Sequence, residues 1–384
     1  MNIKRLTFWL VLFSLLLSCG KGNNSTYSIP PPPSAGPVTP PEDEEDPEDD
    51  NTPKPWDANR GKVVRPQAGN GWTITTIEPG IIYYAFNGYD NVSGANQWIY
   101  VTEIDLNKPD YAVKLGYYSN NSTASRVMKS TGAIASINAG YEKAALWLQL
   151  NGSTYSSISA ATIGSTGVPQ WKSEAAIYLN QDQDVRIRFT GKGKTLSEWR
   201  TLYGYKAQTE RNFITSAPML IDDYKPVGLD FCTLHPANQY PDKDGKTTNS
   251  ENPYNHQNST TNPRTAIAQT AEGQVFFIVV DGRRGNSVAR GISCTQLTNF
   301  LVKYFNPQYA INLDGGGSST MCVQGQGDPD THVVNYPCDN RAGQSEDSRK
   351  TTIEGKEVIR PLETNGPDHA GERGRDTFFY VVKK

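Results

Sequence analysis

The chain has 384 residues, of which 37 are Lys or Arg and 40 are Asp or Glu, so its formal net charge at pH 7 is −3. Much of the negative charge comes from one acidic run between Glu42 and Asp50, which leaves the rest of the chain nearly neutral. This charge pattern excludes the broad basic surface that binds nucleic acid.

The first 19 residues have the pattern of an export signal. Two basic residues precede an apolar run at 6–17, which is shorter than the roughly 20 residues that a membrane-spanning helix needs. The run ends in Ser18 and Cys19, followed by Gly20. This arrangement resembles a bacterial lipobox, in which Cys19 becomes lipidated; an ordinary signal peptide with a chance cysteine is the alternative. Because no acidic residue directly follows Cys19, we expect a cell-envelope protein anchored in the outer membrane by this lipid.

Residues 20–60 have the composition of a flexible tether. A polyproline run at 30–33 and the acidic run leave almost nothing apolar to bury, so the cost of ordering this segment is not offset. Proline and charge repulsion keep such a segment extended. No Pro- or Ser-rich break and no internal repeat divides residues 61–384, so we expect one large, monomeric domain there.

The apolar patterns along this domain mostly predict strands. A helix is predicted over Ala124–Ala135, where small and apolar residues recur at helical spacing. Ser293 is predicted to cap an amphipathic helix that ends before Pro307. The predicted strands include two hairpins, Ala175–Leu179 with Val185–Phe189 and Thr265–Gln269 with Val275–Val280. The remaining predicted strands are Trp98–Asp105, Ala112–Tyr118, Tyr309–Leu313 and Thr377–Val382.

The order of these elements indicates the fold class. Strands and a few helices interleave without a regular βαβ period, which predicts an α+β fold of mixed, mostly antiparallel sheets with a few packed helices. The stretch from Cys232 to Asn262 is polar and rich in turn residues, as expected of an insertion or a lid.

Four cysteines follow Cys19: Cys232, Cys294, Cys322 and Cys338. An even number of cysteines in a protein outside the cytoplasm permits two disulfides. Cys322 and Cys338 flank a loop-like stretch and are the favoured pair. A zinc site is not expected, because the cysteine and histidine spacings of such sites do not occur.

The densest chemical signal follows the strand predicted at Tyr309–Leu313. It consists of Asp314, Gly315, Gly316, Gly317, Ser318, Ser319 and Thr320. Glycines let the backbone approach a ligand closely, and successive amides and hydroxyls can point at an anion. A carboxylate beside such a turn suits chemistry on a phosphorylated sugar. A glycine-rich loop with a capping aspartate is the alternative.

Further motifs precede this loop in a fixed order: Asn262-Pro263-Arg264-Thr265-Ala266, then Val280-Asp281-Gly282-Arg283, then the capped helix. With the loop, this order resembles the phosphodiester glycosidase family. Ile137-Asn138-Ala139-Gly140-Tyr141 resembles an earlier family element, and Glu372-Arg373 resembles a C-terminal one, where Arg375 is the alternative to Arg373. The resemblance spans roughly residues 79–382.

The resemblance implies hydrolysis of the bond between the anomeric carbon of a sugar and a phosphate that is also esterified elsewhere. It implies that Asp314 is a general base or nucleophile, that Asp281 is its partner, and that Arg264 grips the phosphate. The other implied contacts with this glycosyl-phosphate substrate are Asn138, Asn312, Gly315, Gly316, Gly317, Ser318, Ser319, Glu372 and Arg373. No cofactor is certain; calcium or magnesium shared by Asp281 and Asp314 remains open.

Each assignment has a structural alternative. Asp281 precedes a glycine and could start a turn, and Arg264 could belong to a structural ion pair. Asn138 and Asn312 could satisfy buried backbone groups beside a strand end. The alternative to an enzyme is a surface lipoprotein that uses the same turn to bind phosphorylated glycan.

Overall fold

The computed structural model describes residues 54–108, 110–164, 167–180, 184–190, 195–230, 252–256 and 260–384. All of these belong to one compact unit. The predicted signal with Cys19, most of the predicted tether, Cys232 and most of the Cys232–Asn262 stretch lie outside the described residues.

The described part of the chain forms eighteen strands and four helices, and each strand pairing within it is antiparallel. The strands are β1 (Trp72–Glu78), β2 (Ile81–Asp90), β3 (Ala95–Asp105), β4 (Tyr111–Ser122), β5 (Ala135–Asn138), β6 (Trp147–Leu150), β7 (Ser153–Ser157), β8 (Ala175–Leu179), β9 (Val185–Phe189), β10 (Phe213–Ser216), β11 (Met219–Ile221), β12 (Arg264–Gln269), β13 (Gln274–Val280), β14 (Tyr309–Asn312), β15 (Met321–Val323), β16 (Lys350–Ile353), β17 (Lys356–Ile359) and β18 (Arg375–Lys383). The helices are α1 (Ala124–Thr131), α2 (Leu196–Thr209), α3 (Cys294–Tyr304) and α4 (Glu346–Arg349). The predicted α+β class is confirmed.

Three sheets enclose the core. Their strand orders are β1-β2-β3-β13-β12-β14-β11, β7-β6-β10-β8-β9 and β15-β5-β18-β4, and β16 and β17 form a separate hairpin. One apolar cluster contains residues from the inner faces of all three sheets. Each outer face packs on one helix: α3 covers the seven-stranded sheet, α2 the five-stranded sheet and α1 the four-stranded sheet.

Side chains alternate between the two faces of the seven-stranded sheet, so its central strands contribute to two apolar clusters. Tyr83 and Val279 point into the central cluster, whereas their neighbours Tyr84 and Ile278 pack on the side of α3. Successive side chains of a strand point to opposite faces, so a sheet that is covered on both faces needs apolar residues at nearly every position.

Local signals at the helix ends agree with the structure at α3 and differ at α1. The Ser293 hydroxyl accepts from the Gln296 amide at 3.2 Å, and Gln296 completes a capping box. The helix predicted over Ala124–Ala135 was too long, because Gly132 takes the left-handed conformation and ends α1 at Thr131. The chain then turns into β5, which the sequence pattern did not predict.

The predicted disulfide between Cys322 and Cys338 is wrong, since both thiols are free. Cys322 lies in β15 and packs with Val127 and Phe378 beneath α1. The Cys338 sulfur instead lies 3.7 Å from a guanidinium nitrogen of Arg283. Burial raises the pKa of each thiol.

The described helices include none that combines the length and the apolar character needed to cross a membrane.

Candidate active site

The site forms where strands from two sheets end on the same side of the core. β14 ends at Asn312, β5 ends at Asn138, and Asp314 follows β14 by two residues. The Asp314 amide donates to the carbonyl of Ala139 at 3.0 Å, and its carbonyl accepts from the Asn138 side chain at 2.7 Å. These bonds fix the Asp314 backbone between the seven-stranded and four-stranded sheets.

Both asparagines that were expected to touch substrate are buried in this framework. The Asn138 oxygen accepts from the Thr265 hydroxyl at 2.9 Å and from the Thr320 amide at 3.1 Å. The Asn312 side-chain nitrogen lies 2.7 Å from the Tyr141 hydroxyl. Asn138 and Asn312 therefore position the strand ends and the backbone of the loop, as the structural alternative describes.

The loop after Asp314 has already used most of its amides. Those of Gly316, Ser318 and Ser319 donate to backbone carbonyls at 2.8, 3.2 and 3.3 Å. Within the described chain, the amides of Gly315 and Gly317 have no acceptor. An anion would therefore meet two of the loop amides.

Of the three side-chain hydroxyls that follow the glycines, one has a hydrogen-bond partner and two have none within the described residues. The Ser319 hydroxyl lies 3.2 Å from the Thr265 hydroxyl. The hydroxyls of Ser318 and Thr320 are buried and have no hydrogen-bond partner in the described structure. Buried polar atoms are normally paired, so these two hydroxyls are exceptions among the described residues of the loop.

Gly317 lies directly on a buried carboxylate. A Cβ atom at this position would fall 2.1 Å from an oxygen of Asp339, which leaves no room for any other residue. Asp339 forms ion pairs with Arg360 at 3.3 Å and with Arg373. The glycine thus lets the loop approach a carboxylate that holds two arginines in place.

Arg375 forms an ion pair with Asp314, the residue before the glycines of the loop. Its guanidinium lies 3.1 Å from Oδ2 of Asp314, with side-chain exposures of 20% and 17%, and it also donates to the carbonyl of Gly140 at 3.2 Å. The two arginines left open as alternatives have different partners, because Arg373 pairs with Asp339 and Arg375 with Asp314.

Arg283 adds a third guanidinium to the rim of the loop. It is exposed, and its Nη2 atom would lie 3.1 Å from a Cβ built on Gly316, which itself has a φ of +64°. Arg283, Arg373 and Arg375 thus surround a glycine turn, and each remains at least partly exposed. Guanidinium groups that converge in this way suit a phosphate, which they can bind in a bidentate manner.

Arg264, the residue predicted to grip the phosphate, faces away from this rim. It is 2% exposed, and its nitrogens contact the carbonyl of Ile292 at 3.0 Å, the carbonyl of Thr260 at 2.9 Å and the ring of His256 at 3.0 Å. Burial and then Arg264 lower the pKa of His256, so a neutral ring accepts this bond. The guanidinium of Arg264 is therefore engaged within the protein, whereas Arg283, Arg373 and Arg375 are partly or fully exposed.

Asp281, the predicted partner of Asp314, is also buried, at 2% exposure. Its oxygens accept from the Asn335 side chain at 3.0 Å and from the Tyr336 amide at 2.8 Å. Asn335 also donates to the carbonyl of Ser319 at 2.9 Å. Asp281 therefore supports the loop through Asn335 and does not face a substrate. Burial raises the pKa of Asp281 to about 7.

Because the pKa of Asp281 is raised, we expect the free energy of unfolding to depend on pH. Replacing Asp281 with asparagine should remove this dependence. The folded-state pKa of about 7 lies above the ordinary value of 3.8, so the contribution of Asp281 is complete below pH 3.8 and is lost as the pH rises through about 7. The free energy of unfolding of the wild type minus that of the variant should fall by about 4 kcal/mol across this window. Urea unfolding at several pH values measures it; a difference that does not vary with pH would contradict the assignment.

Glu372, expected to contact substrate, instead caps a helix. Its carboxylate accepts from the amide of Ser125 at 3.0 Å and also from the Ser125 hydroxyl. Ser125 is the second residue of α1, and an acceptor there satisfies one of the unpaired amides at the helix N-terminus.

Because Glu372 caps α1, we expect its replacement to lower the stability of the protein without changing substrate binding. Glu372→Gln should lower the free energy of unfolding by about 1 kcal/mol, because the charge at the helix N-terminus is lost. The KM of any substrate should stay within about twofold of the wild type, since the side chain is engaged with α1. Glu357→Gln, at an exposed position in β17, is the matched control. A large rise in KM at unchanged stability would restore the substrate role.

A shared divalent cation does not fit the carboxylates proposed for it. Asp281 is engaged by Asn335 and Tyr336, and Asp314 by Arg375. Among the described residues, no three His, Cys, Asp or Glu side chains are grouped so that they could hold a metal ion.

Comparison with known proteins agrees with the motifs that build this site. A family model described as phosphodiester glycosidase matches residues 131–351. The N-acetylglucosamine-1-phosphodiester alpha-N-acetylglucosaminidases of Bos taurus and Homo sapiens are 36% identical over 77 residues. That stretch is 20% of this chain and 13% of each relative, so the match spans a small part of their length.

Two solved structures are similar to this one. The catalytic domain of the zebrafish enzyme of the same name, auto-inhibited by its pro-peptide, is 15% identical with a TM-score of 0.47, over 84% of this chain and 87% of that one. A hypothetical protein from Synechocystis is 12% identical with a TM-score of 0.44, over 83% of this chain and 64% of that one. Because the family model spans more than half of the sequence, the chain belongs to the phosphodiester glycosidase family.

Proposed function

We propose that this protein hydrolyses a glycosyl-1-phosphodiester at the bond between the anomeric carbon and the phosphate, releasing a free sugar and a phosphomonoester. The observation that carries this proposal is the position of Asp314. Its carboxylate is partly exposed, is paired with Arg375 at 3.1 Å, and stands at the start of a glycine turn that Arg283 and Arg373 flank. A carboxylate for the sugar and cations for the phosphate thus lie side by side.

The chemistry assigns the two halves of the substrate to different groups. The phosphate binds the guanidinium groups of Arg283 and Arg373 and the amides of Gly315 and Gly317. Asp314 faces the anomeric carbon, either as the base that activates water or as the nucleophile. Arg375 holds the Asp314 carboxylate in position through its ion pair. Neutralising the phosphate stabilises the charge that develops on it as the bond to carbon breaks.

The names of the matched relatives suggest one sugar to test. They are N-acetylglucosaminidases that act on an N-acetylglucosamine-1-phosphodiester. We propose that this chain meets such a diester in the cell envelope, where the lipid on Cys19 would hold it. This location rests on the signal-like first 19 residues and the tether-like composition of residues 20–60.

The test is a panel of glycosyl-1-phosphodiesters incubated with the detergent-solubilised, full-length chain. The panel includes N-acetylglucosamine, glucose and mannose in both anomeric forms, each joined to the 6-phosphate of a mannose. Release of the free sugar is followed by chromatography, and binding is followed by calorimetry. We expect turnover of at least one diester. Saturable binding without release from any diester would favour the phosphoglycan-binding lipoprotein instead.

A further inference from the structure

Glycoside hydrolysis commonly uses two carboxyl groups, and the proposed function so far supplies only Asp314. Three other carboxyl groups near the loop are held by partners within the protein. Asp281 is held by Asn335 and Tyr336, Asp339 by two arginines, and Glu372 by the first turn of α1. None of these three offers a free carboxyl oxygen to a substrate.

Asp376 differs from them in its contacts. It is partly exposed. Its carboxyl group accepts from the Thr377 hydroxyl at the limiting distance of 3.5 Å, and its own backbone amide is the other hydrogen-bonding group that acts on it. A bond of this length contributes little. The carboxyl group of Asp376 therefore remains available to a substrate.

The backbone at Asp376 is irregular in a way that directs side chains. Arg375 pairs with Ser122 on β4, whereas Thr377 pairs with Tyr117, so the strand register shifts across Asp376. Bulges of this kind occur near active sites, where they re-aim a side chain. The residue before the irregularity, Arg375, reaches Asp314, and both members of this ion pair act electrostatically on the Asp376 carboxyl group.

The charged groups that act on Asp376 come from three elements. Arg375 precedes it on β18, Asp314 lies in the loop after β14, and Lys143 lies in the turn after β5. Burial is the largest influence and raises the pKa of Asp376; Asp314 raises it further, while Arg375 and Lys143 lower it. A carboxyl group in this environment keeps its proton to higher pH than an exposed aspartate does.

We propose that Asp376 is the second catalytic carboxyl group of this site and acts as the general acid. The proposal rests on the proposed function. Water attacks the anomeric carbon and gives one proton to Asp314, while the bond from that carbon to the bridging oxygen breaks. The electron pair stays on the oxygen of the phosphate, which takes the proton of Asp376. Proton exchange with solvent from Asp314 to Asp376 restores the starting state.

The experiment is a pH profile of kcat/KM for the full-length wild type and Asp376→Asn on the best diester of the panel. In the wild type, activity should fall on the alkaline side as Asp376 loses its proton. In Asp376→Asn this alkaline decline should disappear, and the maximum value of kcat/KM should drop by about 10²-fold or more. Asp376→Glu should restore part of the rate together with the alkaline decline. Asp330→Asn, at an exposed position, is the matched control.

Each outcome separates this proposal from its alternatives. If Asp376 only positioned Arg375, Asp376→Asn would lower the rate equally at every pH and keep the alkaline decline, which would overturn the proposal. An unchanged rate would overturn it as well. Failure of the wild type to release any sugar would reject the proposed function itself. Circular dichroism and thermal unfolding check that both variants fold, and Asp376→Glu tests the proposal even if the amide destabilises the strand.

Discussion

Replacing Asp314 with asparagine should lower kcat/KM by about 10³-fold or more, with little change in the folded structure. The amide has the shape of the carboxylate, but it can neither accept a proton from water nor attack a sugar carbon. Arg375 loses its ion partner, yet both side chains are partly exposed, so the loss of stability should stay near 1 kcal/mol or below. Steady-state kinetics on the best diester of the panel, with urea unfolding in parallel, measure both effects.

Binding separates the catalytic role of Asp314 from a binding role. The diester should bind Asp314→Asn with an affinity within about threefold of the wild type, because the proposed phosphate contacts are Arg283, Arg373 and the loop amides. Asp330→Asn should keep wild-type kinetics and serves as the control. If Asp314→Asn kept more than a tenth of the wild-type activity, Asp314 would not be a catalytic residue.

Replacing Gly317 with alanine should damage both the fold and the site. The added Cβ would lie 2.1 Å from the Asp339 carboxylate, a distance that no packing permits, so the loop or Asp339 must move. Overpacking of this severity should lower the free energy of unfolding by about 2–4 kcal/mol. Moving Asp339 also releases Arg373, so turnover should fall by about 10²-fold or more even where the protein remains folded.

Gly204 offers a matched control for this substitution. It lies inside α2, and a Cβ there would lie 3.8 Å from the nearest atom, on Trp147, which is ordinary contact. Gly204→Ala should therefore raise the free energy of unfolding by about 0.5–1 kcal/mol, because alanine favours the helix. Unfolding curves and kcat for the two variants measure the contrast. A Gly317→Ala protein as stable and as active as the wild type would show that the loop does not rest on Asp339.

Local signals in the sequence were sufficient for the elements that depend on near neighbours. The hairpin of β12 and β13 and the Ser293 cap of α3 were predicted from residues a few positions apart. The helix α2 was missed although Thr195 and Glu198 form a capping box before it. Its weak apolar periodicity hid the helix, and Trp199 and Tyr203 reveal their shared face only where they pack on the five-stranded sheet.

One part of the candidate site could be predicted from neighbouring residues in the sequence, and another part could not. The Asp314 motif and its place at a strand end could be predicted, because a strand, a carboxylate and three glycines are adjacent in the chain. Which arginine reaches Asp314 could not be predicted. Arg264 stands closer along the chain in a recognised motif, but its guanidinium turns to the carbonyls of Thr260 and Ile292, while Arg375 arrives from the last strand.

The sequence by itself therefore determined the family, the α+β class and the position of the candidate loop. Only the tertiary structure decided which charged groups remain free to act. Glu372 caps a helix 247 residues away along the chain, and Asp281 is enclosed by Asn335 and Tyr336. The physical reason is that residue type and spacing specify short-range contacts, whereas the burial and pairing of a charge depend on strands that meet only when the three sheets pack together.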